Sequence, residues 1–129
     1  KELKEKKFPL FHTSDFPKQM ATGVQFLSAV EGRGIIAQPG DILLARVGRG
    51  CIGRVTIVLS GSAWITDCVY RIRVPKAYTQ QVLSALLSSE GQQGLKALSH
   101  GVCAKLISKA DLMKFPINLK YKNDFTEVK

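Results

Sequence analysis

Residues 40–75, GDILLARVGRGCIGRVTIVLSGSAWITDCVYRIRVP, constrain this chain more than any other segment. Apolar and polar residues alternate along it, and glycines interrupt the alternation. A period of two puts successive side chains on opposite faces, so the segment reads as strands joined at the glycines. All of the arginines, Arg33, Arg46, Arg49, Arg54, Arg71 and Arg73, fall inside it or just before it. The lysines lie mostly elsewhere. A β-framework that carries arginine on one side suits phosphates, carboxylates or base edges, because guanidinium is a rigid fork of donors.

The 129 residues are most simply one domain, residues 1–129, large enough to bury a core. The core is expected over about residues 8–119, with residues 1–7 and 120–129 loose. A hydrophobic share of 45% beside 22% charged residues is ordinary for a globular protein. The net charge of +9 is not, and it favours a polyanionic partner, nucleic acid ahead of an anionic membrane. No apolar run reaches the roughly 20 residues of a membrane span. No apolar stretch follows KELKEKKF as a signal peptide would require, and the chain does not open on Met. A cytoplasmic piece of a longer protein is therefore expected. Cys51, Cys68 and Cys103 are odd in number and widely spaced, which fits a reducing compartment better than a disulfide framework.

Within residues 40–75, Pro39-Gly40-Asp41 is a turn, residues 42–47 and 53–59 form a hairpin about Gly48-Arg49-Gly50, and Ser60-Gly61-Ser62 turns again. Residues 64–74 read as one long strand. Trp64, Thr66, Cys68, Tyr70, Ile72 and Val74 share a face, and Asp67, Arg71 and Arg73 share the other with Ile65 and Val69. Cys68 is expected in the core. Residues 25–30 and 35–37 are shorter extended segments. Pro75 stops the strand, and Thr79 is a candidate N-cap for a helix through Ser88 with a stripe of Val82, Leu83, Leu86 and Leu87. Gly91 is expected to end it, with another helical turn or two over residues 94–99. Ser108 and Asp111 have capping-box spacing for a further short helix. Strands followed by helices give an α+β fold: a twisted, mainly antiparallel sheet with a central hairpin, then two or three short helices.

Catalytic signatures are missing. The chain has no Walker loop, and Gly32-Arg33-Gly34 and Gly48-Arg49-Gly50 do not continue as a dinucleotide motif. His12 and His100 lie in no metal-ligand pattern, no nucleophile elbow occurs, and Asp15, Asp41, Asp67 and Asp111 show no paired spacing. Asp41 reads as a turn residue. No cofactor or metal is expected in this domain, and the chain is not expected to be an enzyme by itself.

Binding remains. Arg46, Arg49 and Arg54 cluster about the hairpin turn, where glycine lets backbone amides approach a phosphate and arginine can grip guanine bidentately. A single such arginine is most simply a solvated strand residue; six segregated on a +9 chain favour ligand contact. Lys105 and Lys109 would extend the basic surface. Thr13, Ser14 and Asp15 either contact bases or cap a helix, and the sequence leaves both open.

GDILLARVGRGCIGRVTIV followed by ITDCVYRIRVP resembles the target recognition domains of type I restriction–modification specificity subunits. It is similar also to the recognition domains fused to N6-adenine DNA methyltransferases. The matching elements are Gly40-Asp41-Ile42-Leu43, Gly53-Arg54-Val55 and residues 71–75. Ile107-Ser108-Lys109-Ala110-Asp111-Leu112, between Gly101 and Pro116, resembles the family's closing segment, and HTSDF its entry segment. The likeness spans roughly residues 11–118. It implies a sequence-specific double-stranded-DNA-binding domain that directs a methyltransferase, either a partner subunit or a fused catalytic domain. S-adenosylmethionine would belong to that catalytic part, because the chain has no [DNS]-P-P-[YFW] motif. No long heptad helix is present, so half of a specificity subunit or a piece of a methyltransferase is implied. The DNA-contact candidates are Ser14, Arg33, Arg46, Arg49, Arg54, Arg71 and Arg73. The alternative is a protein-interaction module, docking through the helix at residues 79–88 and Phe8, Phe11 and Phe16 without DNA contact. A hydrolase is a third reading, with no catalytic constellation behind it.

Overall fold

A computed structural model describes residues 10–17, 23–26, 34–47, 52–97, 106–109, 112 and 127–129. Three two-residue strands come first: Leu10–Phe11 (β1), Val24–Gln25 (β2) and Ile36–Ala37 (β3). The longer strands follow: Ile42–Ala45 (β4), Val55–Ser60 (β5), Ala63–Ile65 (β6) and Val69–Arg73 (β7). Helices Lys76–Leu87 (α1) and Ser89–Ala97 (α2) come next, and Glu127–Val128 (β8) returns to the sheet. The fold is α+β, with one sheet in the order β2-β5-β4-β7-β8 and a second in the order β1-β6-β3. The pairings β1·β6 and β2·β5 are parallel, and the others are antiparallel. Two mixed sheets thus stand where the sequence suggested one.

β4 is the axis of the larger sheet. Its ILLA carries no polar side chain, so both faces can be covered, and all four residues are fully buried. It pairs with β5 through Ile42↔Ile57 and Leu44↔Val55, and with β7 through Ile42↔Ile72 and Ala45↔Val69. The predicted hairpin and its partner strand are therefore both present.

Alternation along these strands sorts the core into two clusters. Ile42, Leu44, Val55, Tyr70 and Ile72 face Val82, Leu83 and Leu86 of α1 and Leu95 of α2. Leu43, Ala45, Val58 and Val69 face Phe11, Phe16, Ala37 and Ile65 beneath the smaller sheet. The larger sheet is therefore the middle of three layers. Each buried Leu, Ile or Val side chain contributes roughly 1.5–3 kcal/mol of transfer free energy, so β4 alone anchors both clusters.

Residues 64–74 are not one strand. Thr66 Oγ1 accepts from the Cys68 amide at 3.3 Å, and the Val69 amide donates to the Thr66 carbonyl at 3.1 Å. That turn sends β6 into the small sheet and β7 into the large one. The face assignment holds for Tyr70 and Ile72 against Val69, Arg71 and Arg73, but it does not extend back to Trp64. Cys68 is half-buried in the turn instead of lying in the core.

The first helix starts earlier than Thr79. Pro75 is its N-cap, and the Tyr78 amide donates to the Pro75 carbonyl at 2.8 Å. Proline is tolerated here because the amide it lacks would have no helical partner anyway. Gly91 lies inside α2. Ser88 Oγ accepts from the Gly91 amide at 2.9 Å, an N-cap that restarts the helix after α1 ends. A Cβ on Gly91 would collide with the Ala85 carbonyl, so this glycine permits close helix–helix approach and is not a terminator.

Residues 120–129 are not loose throughout. β8 pairs with β7, and Arg71 and Lys129 exchange both backbone hydrogen bonds at 2.9 Å. Arg33, Cys51, Cys103, His100, the Gly48-Arg49-Gly50 turn and residues 27–30 of the segment 25–30 lie outside the described residues.

Candidate nucleic-acid interface

The two ends of the β4–β7 ladder each hold arginine. At the start of β4 stands Asp41, only 2% exposed. Its carboxylate accepts from the Gln38 amide at 2.8 Å, closing the turn over Pro39-Gly40. Arg73, at the end of β7, donates to the same carboxylate through Nε and Nη2, both at 2.7 Å. Its Nη2 also reaches Gln38 Oε1 at 3.3 Å. This two-pronged pair fixes the guanidinium and neutralises it. Asp41 is the turn residue the sequence suggested; its role as the partner of Arg73 was not legible there.

Arg71 is 7% exposed and faces the layer of Phe11 and Ile65. Its Nη1 donates to the Ile36 carbonyl at 3.0 Å, tying the large sheet to β3. The alternation placed Arg71 correctly on the face opposite Tyr70. That face is covered by the second sheet, so Arg71 is interior scaffold where an exposed contact residue was expected.

At the other end, Arg46 and Arg54 flank the hairpin turn. The Ala45 amide donates to the Arg54 carbonyl and the Gly53 amide to the Ala45 carbonyl, both at 2.9 Å, which brings the two residues together. Arg46 lies on the helix side, its guanidinium carbon 5.0 Å from the centre of the Tyr70 ring. Its Nη1 donates to the Asp67 carbonyl at 3.3 Å in an exposed position. Its Nε is buried and has no hydrogen-bond partner. Arg54 lies on the opposite side, Nη1 at 3.5 Å from the Pro17 carbonyl, the limit of a hydrogen bond. Neither arginine pairs with a carboxylate among the described residues.

In the sequence Tyr70 reads only as core, because it alternates with Ile72. It is core, but its ring also carries Arg46. Its hydroxyl donates to the Ile107 carbonyl at 2.9 Å. Burial pushes the Tyr70 phenol above its ordinary pKa, and the Arg46 charge pulls it part of the way back.

Ser14 lies in the 3-10 helix Thr13–Asp15, at the same end. Asp15 Oδ2 accepts from the His12 amide at 2.9 Å, and His12 Nδ1 meets Thr66 Oγ1 at 2.8 Å, beside the turn below Arg46. The capping reading of Asp15 is thus present in the structure. Lys109 is exposed, and Lys105, like Arg33 and Arg49, lies outside the described residues. Among the described residues no three His, Cys, Asp or Glu side chains converge as a metal site would require, and no helix is long and apolar enough to cross a membrane. The sequence matches no protein-family model and no curated relative.

Proposed function

We propose that this chain is a DNA target recognition domain, which binds duplex DNA at the hairpin end and directs an adenine methyltransferase to its site. One observation carries the reading: on a chain of net charge +9, Arg46 and Arg54 flank one turn with no carboxylate partner among the described residues. Uncompensated guanidiniums project a positive field that attracts phosphates and steers association. The resemblance of residues 11–118 to restriction–modification recognition domains supplies the finer part, sequence specificity and a methyltransferase partner. In this reading the contacts are Arg46, Arg54, Ser14 and, from the sequence alone, Arg33 and Arg49. Arg71 and Arg73 support the scaffold. Lysines and backbone amides set register on the phosphates, a few side chains read base edges, and the catalytic partner flips the adenine and uses S-adenosylmethionine.

The described anchors of the docking alternative are engaged within the fold, while Phe8 lies outside the described residues. Phe11 and Phe16 are buried and stack edge-to-face with centroids 4.9 Å apart, and the stripe of α1 packs on the sheet. Salt titration tests the DNA reading. Affinity for a short duplex should fall linearly on a log–log plot, with a slope of about −0.9 per phosphate contacted. A binding constant independent of salt, or no binding at low salt, refutes it.

A further inference from the structure

We infer that Arg46 is a phosphate-contacting residue and that Tyr70 is its positioning residue. The inference rests on the DNA-binding reading and assigns a role within it. Three features hold the Arg46 guanidinium in place. One face lies against the Tyr70 ring at 5.0 Å, Nη1 is drawn to the Asp67 carbonyl, and Nε is buried. Burial of Nε closes the side-on fork of Nε and Nη2 and leaves the terminal Nη groups as the working edge. No carboxylate among the described residues neutralises that edge. The side chain lies back across the sheet over Tyr70 instead of projecting from the hairpin. A base reader must enter a major groove about 8.5 Å deep, whereas a backbone phosphate passes over the surface. A flat-lying, immobilised cation suits the second task.

Tyr70 is itself fixed. Its ring is buried among Leu44, Ile72 and α1, and its hydroxyl is tied to the Ile107 carbonyl at 2.9 Å. The platform therefore costs no reorganisation when an anion arrives. Cation–π attraction of this kind keeps a guanidinium in one orientation without cancelling its charge, which a carboxylate would do.

The test uses the full chain and two short labelled duplexes of unrelated sequence, titrated over salt. Arg46→Ala should flatten the log–log slope by about 0.9, equally on both duplexes. Tyr70→Phe keeps the ring and should leave the slope unchanged. Tyr70→Leu should weaken binding by about two- to five-fold, and adding it to Arg46→Ala should cost nothing more. Because Tyr70→Leu removes a core ring, NMR of the wild type provides a second measurement. Adding duplex should shift the Arg46 Nε–H and Tyr70 ring resonances together. An unchanged slope in Arg46→Ala, a loss confined to one duplex, additive effects, or resonances that do not move overturns the inference. A wild type with no salt-dependent binding defeats the DNA-binding reading instead, and is told apart by needing no variant.

Discussion

At the Asp41 end of β4, a guanidinium is gripped by a buried carboxylate. At the Arg46 end, about 16 Å along the same strand, the guanidiniums of Arg46 and Arg54 meet, among the described residues, carbonyl oxygens and an aromatic ring. Both ends use arginine at a strand terminus beside a tight turn. The difference is the counter-charge. A neutralised pair has little far field and serves to join β4, β7 and the turn over Gly40. An uncompensated pair of cations keeps its field and can act on a partner. Among the described arginines, ion pairing sets Arg73 apart and burial sets Arg71 apart, so a count of arginines alone overstates the charge left for a partner.

The comparison predicts that the two ends fail differently. Asp41→Ala should destabilise the fold by about 2–3 kcal/mol, because it leaves the Gln38 amide and the Arg73 fork without their acceptor. Denaturant melts would read this directly. Arg73→Ala should cost less, because its side chain is 39% exposed and water can replace part of the bond. A loss larger in Arg73→Ala than in Asp41→Ala would break the account of this end as a carboxylate-centred clamp.

Next in size is Arg49, which the sequence places in the turn between Arg46 and Arg54. If it reads a base, Arg49→Ala should weaken binding to the cognate duplex by about 1–3 kcal/mol while non-cognate affinity changes little. Unchanged affinity at fixed salt would remove it from the contact set.

The physical limits of the sequence reading can be seen in the same residues. Ile42 to Ala45 were legible because an uninterrupted apolar run between turns leaves few options other than a central strand. The facing of Tyr70 and Arg71 was legible because a period of two is geometric. Whether the Arg71 face meets water was not, since that depends on a second sheet made of strands only two or three residues long. Those strands carry too few residues to show a period. The break at residues 66–68 was hidden for a related reason: Thr66 and Cys68 continue the alternation while their backbone turns. Gly91 misled because a glycine between polar residues reads as a helix end, while its packing against Ala85 is visible only in three dimensions. Arg73 and Asp41 are 32 residues apart, and no local signal joins them.

A smaller effect separates the two half-buried arginines of the hairpin end from the clamp. Arg46→Ala and Arg54→Ala should each change stability by no more than about 1 kcal/mol, the scale of a cation–π contact or a single carbonyl hydrogen bond. Each should nevertheless flatten the salt dependence of DNA binding by about 0.9, whereas Arg73→Ala should leave that slope alone. Equal slopes in all three variants would erase the distinction between the ends.

The smallest effect appears only in alkali, and it probes the Arg46 end without DNA. The Tyr70 phenol is held above its ordinary value of 10.0 by burial, so the folded state favours the neutral form more than the unfolded state does. The resulting stabilisation is complete below pH 10.0 and is lost as pH rises from there through the folded value. Arg46 opposes the shift, because its positive charge favours the phenolate. Arg46→Ala should therefore raise the Tyr70 pKa further, and Tyr70→Phe should remove this part of the alkaline loss of stability. Phenolate absorbance, with Tyr70→Phe subtracted to silence the other two tyrosines, isolates the titration. A downward move of the Tyr70 pKa in Arg46→Ala would mean that the guanidinium does not lie on the ring in solution. Arg46 would then be one more mobile surface cation, and the contrast between the two ends would rest on Asp41 and Arg73 alone.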